Sequence, residues 1–255
     1  MGKNAFFGIN LGLLLGIASM GVGYWGAESA RADEMGTLSQ DQVGGFYSRD
    51  GRLQEAAQLP EVGVGFVKLF LPRDRAFGST DLVGLIQEVA AALREVFPVG
   101  SRLQVGDLSA ERGGKISLHS SHQNGLDVDL RFFGVDGREQ DPSLVNGFDE
   151  RFVRGGRVTD NFDREQNWEL VSHLVGSGKV QRIFIDPAIK REFCRRAGTS
   201  SEVDEVLRRL RPYPNHDDHI HVRLYCPAGN PRCVSQAEVE AGTGCSRRRW
   251  RRPLP

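Results

Sequence analysis

Five of the six histidines in this 255-residue chain fall in two short clusters, and no other feature constrains the fold as much. The first cluster lies in Ser117-Leu118-His119-Ser120-Ser121-His122-Gln123-Asn124-Gly125-Leu126-Asp127-Val128-Asp129. There a polar loop passes through Gly125 into an alternating segment, and successive side chains on a strand point to opposite faces. Leu126, Val128 and Leu130 then turn to a core, while Asp127, Asp129 and Arg131 face out together, with Asp129 beside the loop that holds His122. The second cluster is His216-Asp217-Asp218-His219-Ile220-His221-Val222-Arg223. The same alternation puts Ile220, Val222 and Leu224 on one face and His219, His221 and Arg223 on the other. Two imidazoles at that spacing stand about 7 Å apart, neighbours in a cleft that need not share an ion.

Zinc takes histidine nitrogen and carboxylate oxygen, and a catalytic zinc site has three protein ligands with the fourth position open. Two histidines and one aspartate fit that pattern. A lone histidine is usually an ordinary polar residue in a wet cleft, but two clusters, one of them H-x-x-H-x-H, point to metal binding. Ligand softness leaves other divalent ions compatible. The chain has no H-E-x-x-H glutamate, so His216 and His219, with ordinary pKa values near 6.5, are the candidate proton carriers. The spacing leaves open which of them takes a proton from water and which passes one to a leaving amine. Asp217 or Asp218 is placed to orient one imidazole through its second nitrogen. His173 lies in a helical pattern and is expected on a helix surface or packing face.

The remaining pattern mixes strands and helices. Strands are expected over 62–71, 101–107, 126–133, 180–185 and 220–225, and helices over 79–97, 162–176, 187–196 and 202–210. Ser79 or Thr80 caps the first helix, and residues 33–60 are a polar, turn-rich lead-in. Without regular βαβ alternation the expected class is α+β, a single domain with a mostly antiparallel sheet flanked by helices. Residues 1–32 carry Lys3, an uncharged stretch and Ala30-Arg31-Ala32, the pattern of a secretory signal peptide, with an uncleaved anchor as the alternative. The 33 basic and 33 acidic residues give no net field to draw in nucleic acid, so none is expected as a partner. Four cysteines, Cys194, Cys226, Cys233 and Cys245, form an even set that tends to pair in an oxidising compartment. Their spacings lack the C-x2-4-C pairs of structural zinc sites. Of three possible connectivities, Cys226 with Cys233 closes a short loop containing Pro227, Gly229 and Pro231.

His122-Gln123-Asn124-Gly125-Leu126-Asp127-Val128-Asp129 and His219-Ile220-His221-Val222-Arg223-Leu224 together resemble the H-x6-D and H-x-H motifs of the LAS metallopeptidases, the superfamily of lysostaphin-type enzymes, D-Ala-D-Ala peptidases and the hedgehog signalling domain. The closer resemblance is to the penicillin-insensitive murein endopeptidase family. It extends to residues 100–107, Arg182-Ile183-Phe184-Ile185-Asp186-Pro187-Ala188-Ile189-Lys190, Ala197-Gly198-Thr199 and Arg211-Pro212-Tyr213. The resemblance implies a soluble periplasmic zinc hydrolase, residues 33–245, that cuts D-alanyl to meso-diaminopimelyl cross-links between peptidoglycan stem peptides. It implies His122, Asp129 and His221 as zinc ligands, His216 and His219 as active-site histidines that are not ligands, and the disulfides Cys194 with Cys245 and Cys226 with Cys233. A second metal site of some relatives uses D-x-x-H and a histidine at the place of His119. Here the corresponding region reads Arg154-Gly155-Gly156-Arg157, so one catalytic ion is expected and His119 is left to line the cleft.

Arg131, Arg223 and Lys115 are candidates to meet substrate carboxylates, since guanidinium pairs with them bidentately. The basic tail 246–255, with Arg247 to Arg252, is a candidate for weak association with anionic wall polymer or membrane. The chain contains no S-x-x-K motif for acylation by penicillin. The alternatives are a D,D-carboxypeptidase or D-Ala-D-Ala dipeptidase of the same fold, or a zinc-stabilised wall-binding module.

Overall fold

A computed structural model describes residues 42–245, apart from Ala197, Thr199 and the side chain of Arg196. The expected leader 1–32 and the basic tail 246–255 lie outside these residues. In chain order the main elements are β1 (Val62–Gly63), β2 (Phe66–Lys68), α1 (Thr80–Val96), β3 (Leu103–Val105), β4 (Asp127–Arg131), α2 (Arg164–Gly176), β5 (Val180–Ile185), α3 (Pro187–Arg196), α4 (Ser201–Arg209), β6 (Leu210–Pro212) and β7 (His219–Leu224). Seven strands form one mixed sheet in the order β6-β5-β7-β4-β3-β2-β1. Only β6 with β5 and β3 with β2 run parallel, which makes this a mostly antiparallel α+β domain. No helix among the described residues is long and apolar enough to cross a membrane.

Local chemistry accounts for the helices. The Ser79 hydroxyl caps α1 by accepting from Leu82 N at 3.2 Å, and Leu82, Leu85, Ile86, Val89, Ala90 and Leu93 recur on one buried face. Asp163 caps α2 through Glu165 N and Gln166 N, a signal the apolar pattern alone does not carry. The single strand expected over 62–71 is corrected to a hairpin. Gly65, at φ 76°, reverses the chain, so Val62 pairs with Val67 and Gly63 with Phe66. The β6 strand and the Val153–Arg154/Arg157–Val158 hairpin escape the sequence pattern, being two or three residues long.

The two histidine clusters meet at the middle of the sheet. β4 and β7 pair antiparallel, with Asp127 opposite Arg223, Asp129 opposite His221 and Arg131 opposite His219. Val128, Leu130, Ile220 and Val222 join the apolar core. The expectation that the other face of β4 is an outer one is corrected, because Asp127, Asp129 and Arg131 are all buried there. Cys194 bonds to Cys245 and Cys226 to Cys233.

Candidate metal centre

Gly125, at φ 74°, turns the His122 loop into β4, and a Cβ there would meet Leu53 Cδ1 at 2.7 Å and the Ser79 backbone nitrogen at 3.0 Å. His122 itself adopts φ 62°, a left-handed backbone that costs a non-glycine residue free energy and occurs where surroundings enforce it. Its side chain is fully buried. The Nδ1 hydrogen goes to the Leu108 carbonyl at 3.0 Å, leaving Nε2 3.3 Å from Asp129 Oδ1.

The other histidines repeat this division of labour. His221 donates from Nε2 to Asp127 Oδ1 at 2.7 Å and turns Nδ1 toward Asp129 Oδ1 at 3.4 Å. His219 donates from Nδ1 to Asp218 and places Nε2 3.7 Å from the same oxygen. His119 donates from Nε2 to Asp107 Oδ2 at 2.9 Å, with Nδ1 3.7 Å from Asp129 Oδ2. One ligand atom each of His119, His122 and Asp129 lie within 4.8 Å of one another. His119 thus stands in the cleft within reach of an ion shared with His122 and Asp129.

These donor atoms suit a cation. His122 Nε2 and Asp129 Oδ1 are buried and have no hydrogen-bond partner. Burying an unpaired acceptor is costly, and neutral imidazole lone pairs facing a carboxylate repel it unless positive charge lies among them. Protons alone satisfy the cluster only in part. Burial lowers the His122 pKa, but Asp129 and the neighbouring carboxylates more than offset it and the net shift is upward. Burial pushes His221 down to about 4 despite Asp127, so its Nδ1 stays a free lone pair. For Asp129, burial opposes ionisation, but His122, His219 and His221 together hold the carboxyl well below the ordinary range. An ionised carboxylate, the His221 Nδ1 lone pair from β7 and the partnerless His122 Nε2 from the loop before β4 form a donor set that suits a divalent cation.

His216 and His219 border this cluster. His216 donates from Nδ1 to the Pro214 carbonyl at 2.9 Å, so Nε2 carries its lone pair, and burial, followed by His219, lowers its pKa. His219 runs the other way. Burial lowers its pKa, but Asp129 and Asp218 outweigh that and raise it. The rings of His216 and His219 lie 5.0 Å apart, with Phe184 6.0 Å from His216 and 5.3 Å from His221. Of the two expected orienting carboxylates, Asp218 holds His219, whereas Asp217 is taken by Arg151 at 3.1 Å.

Arg131 and Arg223 are not available to substrate. Arg131 is buried and pairs with Asp149 and Glu150 at 3.1 and 3.3 Å. Arg223 gives Nε to Asp127 Oδ1 at 2.7 Å and lies over the Tyr47 ring at 3.3 Å. Lys115 remains exposed, and His173 sits on α2 near Glu169, away from the cluster. The sequence reading missed Asp107, whose Oδ2 accepts from Arg73 at 2.7 Å, Arg75 at 3.0 Å and His119. It also missed Asp127 as the partner that sets the His221 tautomer. The parity of Asp127 with Asp129 on β4 was the available signal.

The sequence profile of a family described as penicillin-insensitive murein endopeptidase matches residues 43–252. A penicillin-insensitive murein endopeptidase of Klebsiella pneumoniae (strain 342) is 33% identical over 210 residues, covering 81% of this chain and 74% of its own length. One from Yersinia pestis bv. Antiqua is 32% identical over 222 residues, covering 85% and 78%. Another, from Haemophilus influenzae, is 31% identical over 210 residues, covering 79% and 69%. With the family profile spanning most of its length and relatives at this identity, the chain belongs to the penicillin-insensitive murein endopeptidase family.

Proposed function

We propose that the chain is a zinc-dependent periplasmic peptidoglycan hydrolase that cuts D-alanyl to meso-diaminopimelyl cross-links between stem peptides. The observation that carries this reading is the convergence of His122 Nε2 and His221 Nδ1 on one buried Asp129 oxygen, at 3.3 and 3.4 Å, in a chain of murein endopeptidase ancestry. His122, Asp129 and His221 would hold the ion. Each imidazole is braced through its other nitrogen, by Leu108 O and Asp127, the second layer that keeps a metal ligand in its tautomer. When bound, zinc supplies Lewis acidity, drawing the pKa of a water toward about 7 and polarising a carbonyl.

The protein groups divide the proton traffic. His216, with its Nδ1 hydrogen committed to Pro214 and its pKa lowered, accepts the proton of the attacking water at Nε2. His219, bonded at Nδ1 to Asp218 and with its pKa raised, offers Nε2–H to the developing oxyanion and then to the leaving amine. A periplasmic home is supported by the signal-like leader and by two disulfides, which persist in oxidising compartments. The Arg247 to Arg252 tail adds weak contact with anionic wall polymer or membrane.

The test is incubation with purified cross-linked muropeptide dimers and, separately, with pentapeptide monomers, each with and without a zinc chelator. The proposal expects dimers to become monomers, chelator to stop this, added zinc to restore it and penicillin to have no effect. Trimming of pentapeptides alone would identify a carboxypeptidase, and binding without cleavage a wall-binding module.

A further inference from the structure

We infer that Phe148 is a positioning residue that holds the His219 imidazole in its working orientation, an inference that rests on the catalytic reading above. The Phe148 ring stacks on His219 with centroids 5.1 Å apart and planes 29° apart, and Phe70 meets it edge-on at 5.0 Å. Gly106 leaves room for it, since a Cβ there would lie 2.7 Å from Phe148 Cζ.

The segment that carries this ring is fastened on both sides. Before it, the Pro142 carbonyl accepts from Leu71 N at 3.0 Å and the Val145 carbonyl from Arg73 Nε at 3.1 Å. Beside it, Gln140 Nε2 donates to the Gly147 carbonyl at 2.9 Å and Asp149 N donates to Gln140 Oε1 at 3.0 Å. After it, Arg131 grips Asp149 and Glu150, and Phe152 N donates to the Asp217 carbonyl at 2.7 Å, in the loop that leads to His219. Packing against a fixed ring adds to a hydrogen bond in locking an imidazole's rotamer. His219 is bonded at Nδ1 by Asp218, stacked on one side by Phe148 and neighboured by His216, and its Nε2 is thereby aimed into the cluster.

Phe148→Leu keeps apolar bulk without the ring, and Gly106→Ala pushes the ring aside, its Cβ also meeting the Asp129 carbonyl oxygen and Phe70 Cε2 at 3.2 Å, so that zinc content reports any disturbance of Asp129. Both variants and the parent, loaded with zinc and checked for zinc content and thermal unfolding, are assayed on muropeptide dimers. Their histidine ring protons are followed by NMR in histidine-labelled protein. Each variant is expected to lose about 10- to 100-fold in kcat with KM within about twofold, the penalty of a misplaced catalytic group. The His219 ring protons are expected to move downfield as ring-current shielding is lost. Unchanged kcat with unmoved His219 resonances would overturn the inference, and so would a change in KM alone, which would make Phe148 a substrate contact. If Phe148→Leu does not fold, Gly106→Ala decides by the same readouts. A parallel His219→Ala variant separates the two levels: full activity there removes the catalytic reading itself, whereas an inactive His219→Ala beside a normal Phe148→Leu removes only the role of Phe148.

Discussion

Asp127 accepts the Nε2 hydrogen of His221 at 2.7 Å, and that single bond decides which nitrogen of His221 faces the cluster. The same Asp127 oxygen takes Arg223 Nε at 2.7 Å, so the carboxylate that sets the tautomer is itself held by a buried guanidinium. Removing the charge while keeping the shape isolates this effect. Asp127→Asn is expected to weaken zinc binding about 10- to 100-fold, the usual consequence of losing such a second-layer partner. Competition with a chromophoric chelator measures it, and unaltered affinity would show that the tautomer is set elsewhere.

His219 and His216 are expected to act on protons and leave metal retention intact. His219→Ala should keep its zinc and lose about two to four orders of magnitude in rate, the range for a general acid or base. Metal analysis of the purified variant beside its muropeptide turnover checks both halves, and a normal rate would refute the assignment.

Arg131 is buried against Asp149 and Glu150, so its contribution should appear as stability. Arg131→Met is expected to destabilise by about 3 kcal/mol, because it strands partly buried carboxylates. In folded protein KM should stay close to that of the parent. Urea denaturation paired with kinetics distinguishes this from a substrate-binding arginine, which would raise KM.

Lys190 on α3 is fully buried, and its ammonium donates to the Leu207 and Thr243 carbonyls. Burial, with Arg211 nearby, lowers its pKa from 10.5 to about 7. Between those values the unfolded chain binds a proton that the folded chain lacks, so stability should rise as pH increases through the window. Below about pH 7 both states are protonated and this dependence levels off. Lys68, lowered to about 8 by burial, adds to the slope above that pH. Thermal unfolding from pH 7 to 9 should show a rising midpoint, flatter in Lys190→Met. A midpoint that falls equally in both proteins would contradict the assignment.

The two disulfides should differ in weight. Cys194 and Cys245 are 51 residues apart, Cys226 and Cys233 only 7. Loop-closure entropy makes the longer crosslink worth about 4 kcal/mol and the shorter about 2. Double Cys→Ser variants of each pair, compared in urea, should rank in that order, and a reversed ranking would count against it.

Much of the site was legible along the chain because its ingredients are local. The parity of Asp127 and Asp129, and of His219, His221 and Arg223, follows from strand alternation, and the structure places each set on one face. The helices were legible through their apolar faces and through Ser79. What failed had short or distant causes. The break between β1 and β2 turns on one glycine, Gly65. β6 is three residues long and gains its place only by pairing parallel with β5. Arg131 and Arg223 read as outward-facing candidates for substrate carboxylates because alternation tells which residues share a face and says nothing of what covers it. Tyr47, Phe152, Asp149 and Glu150 supply that cover from other segments of the chain.

The amino-acid order alone determined the donor types, their spacing and their shared faces, since backbone periodicity acts over a few residues. Tertiary structure alone decided the β4–β7 register that sets Asp129 opposite His221, the second partner of each imidazole and the burial that tunes their protons. Those depend on contacts between segments about 90 residues apart, such as His221 with Asp127, whose pairing is selected by the packing of the whole sheet.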